Sequence, residues 1–278
     1  MSSSDNDFSE HDITPELCEP CSMSFLQHSL EDSLKSTISA PSVLSMQGEK
    51  ATCIRSAVVN WIFRVQAEIG FTKEIAYDAY FIFDKLLSKL KIDQSNAHLY
   101  ATASMWISAK IEECNFKDIS LFQAISQQMF SLEQMVEAES IIVNAMNFNL
   151  NFSTCYLFVR ALANDLNLDE SVTKMCEFYM DVAMNIFQFI ETPSFLIAAA
   201  SIILGIESMK VPYQINEVLK LINWNDQSML QNVINELLIF SIKLAKRKSS
   251  DVFKYYAAND SDKLIKAVDN ASKAFNMD

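Results

Sequence analysis

Three glycines and five prolines in 278 residues leave this chain few places to turn. Average usage of about 7% Gly would supply roughly twenty. Glycine adopts positive φ without steric cost, and proline breaks helices and marks turns. A chain short of both is suited to long helices joined by short loops. Half of its residues are apolar, enough to bury the inner faces of those helices. At a soft prior of ~150 residues per domain, the length suggests two domains.

Apolar residues recur at helical spacing from Lys50 onward for two hundred residues. The pattern predicts helices over 50–69, 73–91, 95–113, 118–128 and 131–147. A second set is predicted over 154–165, 169–189, 193–209, 213–222 and 226–247. Ser131 with Gln134 three residues on resembles a capping box, and Asp226 is a good N-cap. Thr192-Pro193 puts a cap residue ahead of a Pro at N1. The two sets look like repeats of one five-helix unit. "NAHLYATASMWISAKIEE" from Asn96 lines up with "TPSFLIAAASIILGIESM" from Thr192, and "SLEQMVEAESIIV" from Ser131 with "DQSMLQNVINELL" from Asp226. The small residues at the centre of both third helices let neighbours approach from all sides, as expected of a helix running through a bundle.

The expected fold class is therefore all-α, with two tandem five-helix folds. Residues 1–47, rich in Ser, Asp and Glu, read as a flexible N-terminal leader with a short helix around Met23 to Leu34. The first fold is expected over 48–150, the second over 151–247, and a C-terminal extension, partly helical, over 248–278.

Charge narrows the function. A net charge of −13 disfavours nucleic acid, whose binding needs Lys and Arg to neutralise phosphates. No membrane span is expected, because the longest apolar run, Phe195 to Ile206, falls short of the ~20 residues that cross a bilayer. The acidic, serine-rich start is no signal peptide, and the six cysteines lack a disulfide-rich spacing, so a reducing intracellular setting follows.

Four charges interrupt apolar faces. Lys110 follows Leu99, Ala103 and Trp106 at helical spacing, and Glu139 lies between Met135 and Ile142. Arg55 shares a face with Val58 and Ile62, and Asp84 with Tyr77, Tyr80 and Phe81. Buried charges need partners, so two ion pairs are expected: Arg55–Asp84 and Lys110–Glu139. Both pairs could simply fix helix register. For Lys110–Glu139 the second repeat argues otherwise, since the counterparts are Ile206 and Ile234. The framework manages there without the pair, which leaves it free to offer donors and acceptors to another protein.

These residues resemble the cyclin box. "IRSAVVNWIFRV" from Ile54 is similar to the family's first-helix motif and "YFIFDKLLSK" to the segment carrying its Asp. "LYATASMWISAKIEE" resembles the third-helix signature, and "MVEAESIIVNAMNFNLNFSTCYLFVRAL" the fifth helix and the lead into a second fold. Arg55, Asp84, Leu99, Lys110 and Glu139 match the five family hallmarks. The Trp61 motif and the complete second repeat place the pattern nearest A/B-type cell-cycle cyclins. The resemblance implies a regulatory subunit, not an enzyme, that binds and activates a cyclin-dependent serine/threonine kinase and controls cell-cycle progression. It further implies that Lys110 and Glu139 are polar anchors for backbone groups beside the kinase's regulatory helix. Ile111, Phe148 and Leu150 become apolar contacts, and the first fold, 48–150, becomes the kinase-binding unit. Arg55–Asp84 is then a structural ion pair.

The same resemblance implies a candidate substrate-docking patch at Ile54, Ala57, Val58 and Trp61. Here the family's acid three residues after the Trp is Arg64 and its third-helix glutamine is His98, which sets positive charge against a basic docking peptide. No Arg precedes position 55, so no Arg-x-x-Leu destruction signal is present in the leader.

Other signals are weak. Cys18 and Cys21 form a lone C-x-x-C, and His11, His28 and His98 are scattered, so neither a metal site nor a cofactor is expected. No phosphate-cradling loop or nucleophile motif is present. "KLAKRK" from Lys243 reads as a basic helix end or as a nuclear localisation signal, in keeping with a nuclear or cytoplasmic protein. Thr14-Pro15 is a candidate proline-directed phosphosite. The competing functions are a cyclin-fold scaffold and a transcription-associated cyclin-like protein without cell-cycle kinase activation.

Overall fold

The structure, a computed structural model, describes residues 23–35, 37–112, 118–212, 215–222 and 226–277. Every regular element among them is helical. A short pair comes first, α1 (Met23–Lys35) and α2 (Ala40–Gln47). Then follow α3 (Ala51–Ile69), α4 (Lys73–Lys89), α5 (Ala97–Glu112), α6 (Ile119–Ile125) and α7 (Leu132–Ala145). The second set is α8 (Cys155–Asp165), α9 (Glu170–Ala183), α10 (Ser194–Met209), α11 (Ile215–Ile222) and α12 (Gln227–Arg247). The chain closes with α13 (Asp251–Tyr256) and α14 (Ser261–Ala274).

Each set is organised round its third helix. α5 packs against α3, α4, α6 and α7, and α10 against α8, α9, α11, α12 and α14. Both are buried nearly all round, α5 from Ala101 to Ala109 and α10 from Phe195 to Ile206. Small residues permit this, and the small polar ones satisfy themselves. Ser104 Oγ donates to the Tyr100 carbonyl (2.7 Å), Ser108 Oγ to Ser104 (2.9 Å) and Ser201 Oγ to Ile197 (2.8 Å). These three hydroxyls need no partner from a neighbouring helix, so they do not hold those helices at a distance.

Glycine scarcity shows in the helix ends. A left-handed residue commonly ends a helix, and glycine fills that role without strain. Gly70 does so after α3, with φ 76°. Elsewhere other residues take the conformation: Asn147 and Phe148 after α7, Asn167 after α8, Lys210 after α10 and Lys248 after α12.

Three expectations change. The leader expected over 1–47 is not flexible throughout. Residues 1–22 and 36 lie outside the described residues; α1 is the short helix expected around Met23 to Leu34, and α2, which was not expected, buries Ala40, Val43 and Gln47. Gln47 is tied to the first set, donating to the Leu87 carbonyl (2.7 Å) and accepting from the Ile92 amide (2.9 Å). The helix expected over 169–189 ends at Ala183 and gives way to a 3-10 turn over Phe187–Glu191. α10 starts one residue late, with Pro193 at its N-cap and no side-chain cap from Thr192. The extension expected to be partly helical over 248–278 holds two helices, broken where Asp260 caps α14 by accepting from the amides of Asp262 (3.0 Å) and Lys263 (2.9 Å).

The extension packs on both sets. α14 lies on α10 and α12, and α13 bridges α3 and α9. Phe63 meets Tyr255 edge-on at 5.6 Å, and Phe178 meets Tyr256 at 5.4 Å.

Candidate functional site

The C-terminal end of α5 and one face of α7 bring Lys110 and Glu139 into a direct ion pair. Ser131 starts α7 with a two-way capping box, its hydroxyl accepting from the Gln134 amide and the Gln134 side chain accepting from the Ser131 amide. That cap sets the rotation of α7, which buries Met135, Ala138 and Ile142 and leaves Glu139 at the edge of the buried stripe. Lys110 lies 3.9 Å from the centre of the Trp106 ring, and burial pulls its pKa below the ordinary lysine value. The pair keeps 30% and 24% of its side-chain surface exposed. A pair at that depth is fixed in place by packing yet can be reached by another chain.

Around it the surface is apolar to an unusual degree. Ile111 is 46% exposed and Phe148 75%. Met129, Leu132 and Val136 are exposed as well. Leu132, Val136 and Glu139 follow one another at i, i+4 and i+7 along α7, so apolar and acidic groups share a stripe beside the buried one. Leu150 is half-buried against the core. The three residues Met129, Leu132 and Val136 escaped the sequence reading because their spacing is what a core-facing helix also shows.

Phe148 stands apart. It has φ 58° and follows Asn147 at φ 52°, so two consecutive residues are left-handed. That conformation is costly for a bulky side chain, and costs of this kind gather where structure serves binding. Its amide donates to the Val143 carbonyl (3.0 Å), which closes α7 and holds the ring out in solvent.

Arg55 and Asp84 form the second pair, deep in the molecule, with Arg55 3% and Asp84 8% exposed. The contact is two-pronged, Nε to Oδ1 at 2.8 Å and Nη2 to Oδ2 at 2.9 Å. The third donor, Nη1, reaches the Met184 carbonyl at 2.6 Å, at the C-terminal end of α9. A guanidinium there complements both the free carbonyl and the helix dipole. The pair thus joins the two helical sets, which was not foreseen.

A second polar junction lies nearby. Asp181 of α9 accepts from Lys73 (2.7 Å), from Tyr256 (2.6 Å) and from Tyr77. Lys73 also faces Glu177 at 3.3 Å. Burial lowers the Lys73 pKa, but the Asp181 and Glu177 carboxylates outweigh it and hold the group above the ordinary lysine value. One carboxylate therefore gathers α4 of the first set, α9 of the second and α13 of the extension. The sequence offered no cue, since the partners stand 75 to 108 residues away.

The candidate docking patch is a groove of about 740 Å³. Ile54 and Val58 are buried and form its floor. Ala57 is exposed, and Trp61 is half-buried against His98, edge-on at 4.6 Å. Lys50 and Arg64 stand on the rim together with Asp93, and Arg64 is partly neutralised by Asp251 at 3.6 Å.

Among the described residues no group of His, Cys, Asp and Glu could hold a metal ion, and no helix is long and apolar enough to cross a membrane. Cys18, Cys21, His11 and Thr14 lie outside the described residues.

Residues 24–151 match the family model of the cyclin N-terminal domain. The matched region is a cyclin box. The matched region takes in α1 and α2, ahead of the expected start at 48. The G2/mitotic-specific cyclin-B3 of Mus musculus is 26% identical over 208 residues, 68% of this chain and 15% of that one. The G2/mitotic-specific cyclin-B1 of Caenorhabditis elegans is 26% identical, over 58% of this chain and 47% of that one. The G2/mitotic-specific cyclin-A of Drosophila melanogaster is 25% identical, over 52% and 29%. The chain thus spans less than half the length of these relatives. Its fold is similar to that of a viral cyclin from herpesvirus saimiri, with a TM-score of 0.68 at 17% identity over 83% of this chain and 99% of that one. It is similar also to a chain of the yeast RNA Pol II CTD kinase CTDK-1 complex, with a TM-score of 0.62 at 13% identity over 88% and 82%.

Proposed function

We propose that this cyclin-box protein is a regulatory subunit that binds and activates a cyclin-dependent serine/threonine protein kinase and so controls cell-cycle progression. One observation carries the reading: an accessible Lys110–Glu139 pair at the edge of the first set, with exposed Ile111 next to Lys110 and exposed Val136 one turn before Glu139, where the second set has buried Ile206 and Ile234. Lys110 keeps donors and Glu139 keeps acceptors beyond those they spend on each other. These groups meet backbone carbonyls and amides at the end of the kinase's regulatory helix. Ile111, Phe148 and half-buried Leu150 give that helix an apolar seat, and seating it inward completes the kinase's own Lys–Glu pair. In this reading the cyclin supplies position, and all the chemistry belongs to the partner.

The test is a Lys110→Ala, Glu139→Ala double variant assayed against purified cyclin-dependent kinases. Truncating charge-paired anchors at such an interface is expected to weaken binding by ~2–5 kcal/mol. Kinase activation should fall in parallel, while the thermal midpoint moves little because the pair is part-exposed. Undiminished binding to every kinase that the parent binds would overturn the assignment, and a parent that binds none would favour a scaffold.

A further inference from the structure

We propose that Ser249 is a phosphorylation site for a serine/threonine kinase that selects basic residues ahead of its acceptor, and that Arg64 receives the phosphate. In a chain of net charge −13, Lys246, Arg247 and Lys248 are the only Lys or Arg residues that stand side by side. Ser249 and Ser250 are therefore the only hydroxyls with cations both two and three residues ahead of them. A kinase whose substrate groove is acidic selects such a pair by charge complementarity. The dipole of α12 favours Lys246 and Arg247, which lie in its last turn, but it gives them nothing to bind. All three cations are exposed, and none forms an ion pair among the described residues.

Of the two serines, one is spent. Ser250 caps α13, its hydroxyl accepting from the Phe253 amide (3.0 Å). Ser249 is exposed between α12 and α13, and its hydroxyl makes no hydrogen bond among the described residues. A kinase takes its substrate as an extended strand, so the last turn of α12 has to open. That turn has no buried side chain beyond Ala245, and helix ends fray readily. Opening it costs backbone hydrogen bonds and no core contact. In the transfer, Ser249 Oγ attacks the γ-phosphorus of the kinase's ATP and the bond to the β-phosphate oxygen breaks. ADP leaves, and the hydroxyl proton passes to the kinase's catalytic carboxylate.

The product has a seat. Ser249 lines a cleft of about 370 Å³ together with Arg64 of α3, between uncharged polar walls of Ser56, Asn60 and Asn185. Arg64 has one ionic partner there, Asp251, at 3.6 Å, which is too long for a hydrogen bond. Asp251 also faces Lys254 at 3.9 Å, so its charge is shared between two cations. The guanidinium keeps its donors, and a phosphate of about −1.5 to −2 charge with three acceptor oxygens is a stronger partner than a shared carboxylate. Arg64 also stands on the rim of the Trp61 groove, so engaging it takes a positive charge from that rim.

The test treats the full chain with the catalytic subunit of cyclic-AMP-dependent protein kinase and magnesium ATP, then maps the product by tandem mass spectrometry. The expected result is stoichiometric phosphate on Ser249 of the folded chain, and none in Ser249→Ala. Phosphorus NMR then reads the seat. The second ionisation of the phosphoserine should fall below its ordinary value near ~6 and return to it in Arg64→Gln. Phosphate on Ser250 or elsewhere, phosphate on Ser249 only after denaturation, or no phosphate at all would overturn the site. A second ionisation equal in the parent and in Arg64→Gln would overturn the seat.

Discussion

Asp78 is an acid whose chemistry departs from its type. It sits on α4, 8% exposed, hydrogen-bonded to Glu112 at the end of α5. Burial, the Glu112 carboxylate and the nearby Glu74 together push its pKa up to about 8. In the unfolded chain the same carboxyl ionises near ~4. Between those values the folded state holds a proton that the unfolded state has lost, so folding stability falls as pH rises across that window. Asp78→Asn keeps the shape and can still donate to Glu112 without ionising. Its urea midpoint should therefore decline less than that of the parent between about pH 5 and pH 8. Equal declines in both proteins would place the proton elsewhere. Neither Asp78 nor Asp181 was visible as a special residue in the sequence, because each acid becomes unusual through a partner on another helix. Lys110, Glu139, Arg55 and Asp84 were legible, since a charge on an apolar stripe is a contradiction within its own helix.

Helices α3 to α12 announce themselves by period, and their boundaries fall within a few residues of what the pattern predicts except at the end of α9. There an apolar run continues past Ala183 although the backbone does not, and a run of that kind holds no signal for where a helix stops. Elements also carry their own contact conditions. Gly205 lies in the middle of α10 facing α9, where an added Cβ would come within 3.0 Å of the Cys176 amide nitrogen and 3.2 Å of its Cα, and would collide with its sulfur. On an open helix, Gly→Ala gains roughly 0.5–1 kcal/mol. Here it should lose, because overpacking costs ~1–3 kcal/mol and backbone atoms cannot step aside as a flexible side chain can. Denaturant titration of Gly205→Ala reads the sign. Adding Cys176→Ala should recover only part of the loss, since it removes the sulfur and leaves the backbone. A stabilised Gly205→Ala would mean that α9 and α10 are farther apart than described.

The whole molecule is held along a seam. Arg55 reaches from the first helical set to Met184 of the second, and Asp181 of the second draws on Lys73 and Tyr77 of the first and on Tyr256 of the extension. Tyr256→Phe removes two hydrogen bonds, one donated to the buried Asp181 carboxylate and one accepted from Lys73, and no apolar contact, for an expected cost of about 1.5–3 kcal/mol. Tryptophan fluorescence and helical circular dichroism should still report a single coincident unfolding transition at the lower midpoint. Separate transitions for the two sets would show that the seam depends on the Tyr256 hydroxyl alone.

That seam bears on how such a protein could be recombined. The boundary between its repeats looks like a natural place to cut, yet Lys73 was placed by a carboxylate on the far side of it. A hybrid that grafts a relative's second repeat onto this first one must bring an acid at 181 and a phenol at 256. Without them it inherits a lone cation sealed between foreign surfaces. The exchangeable unit is both repeats together with the tail that closes them.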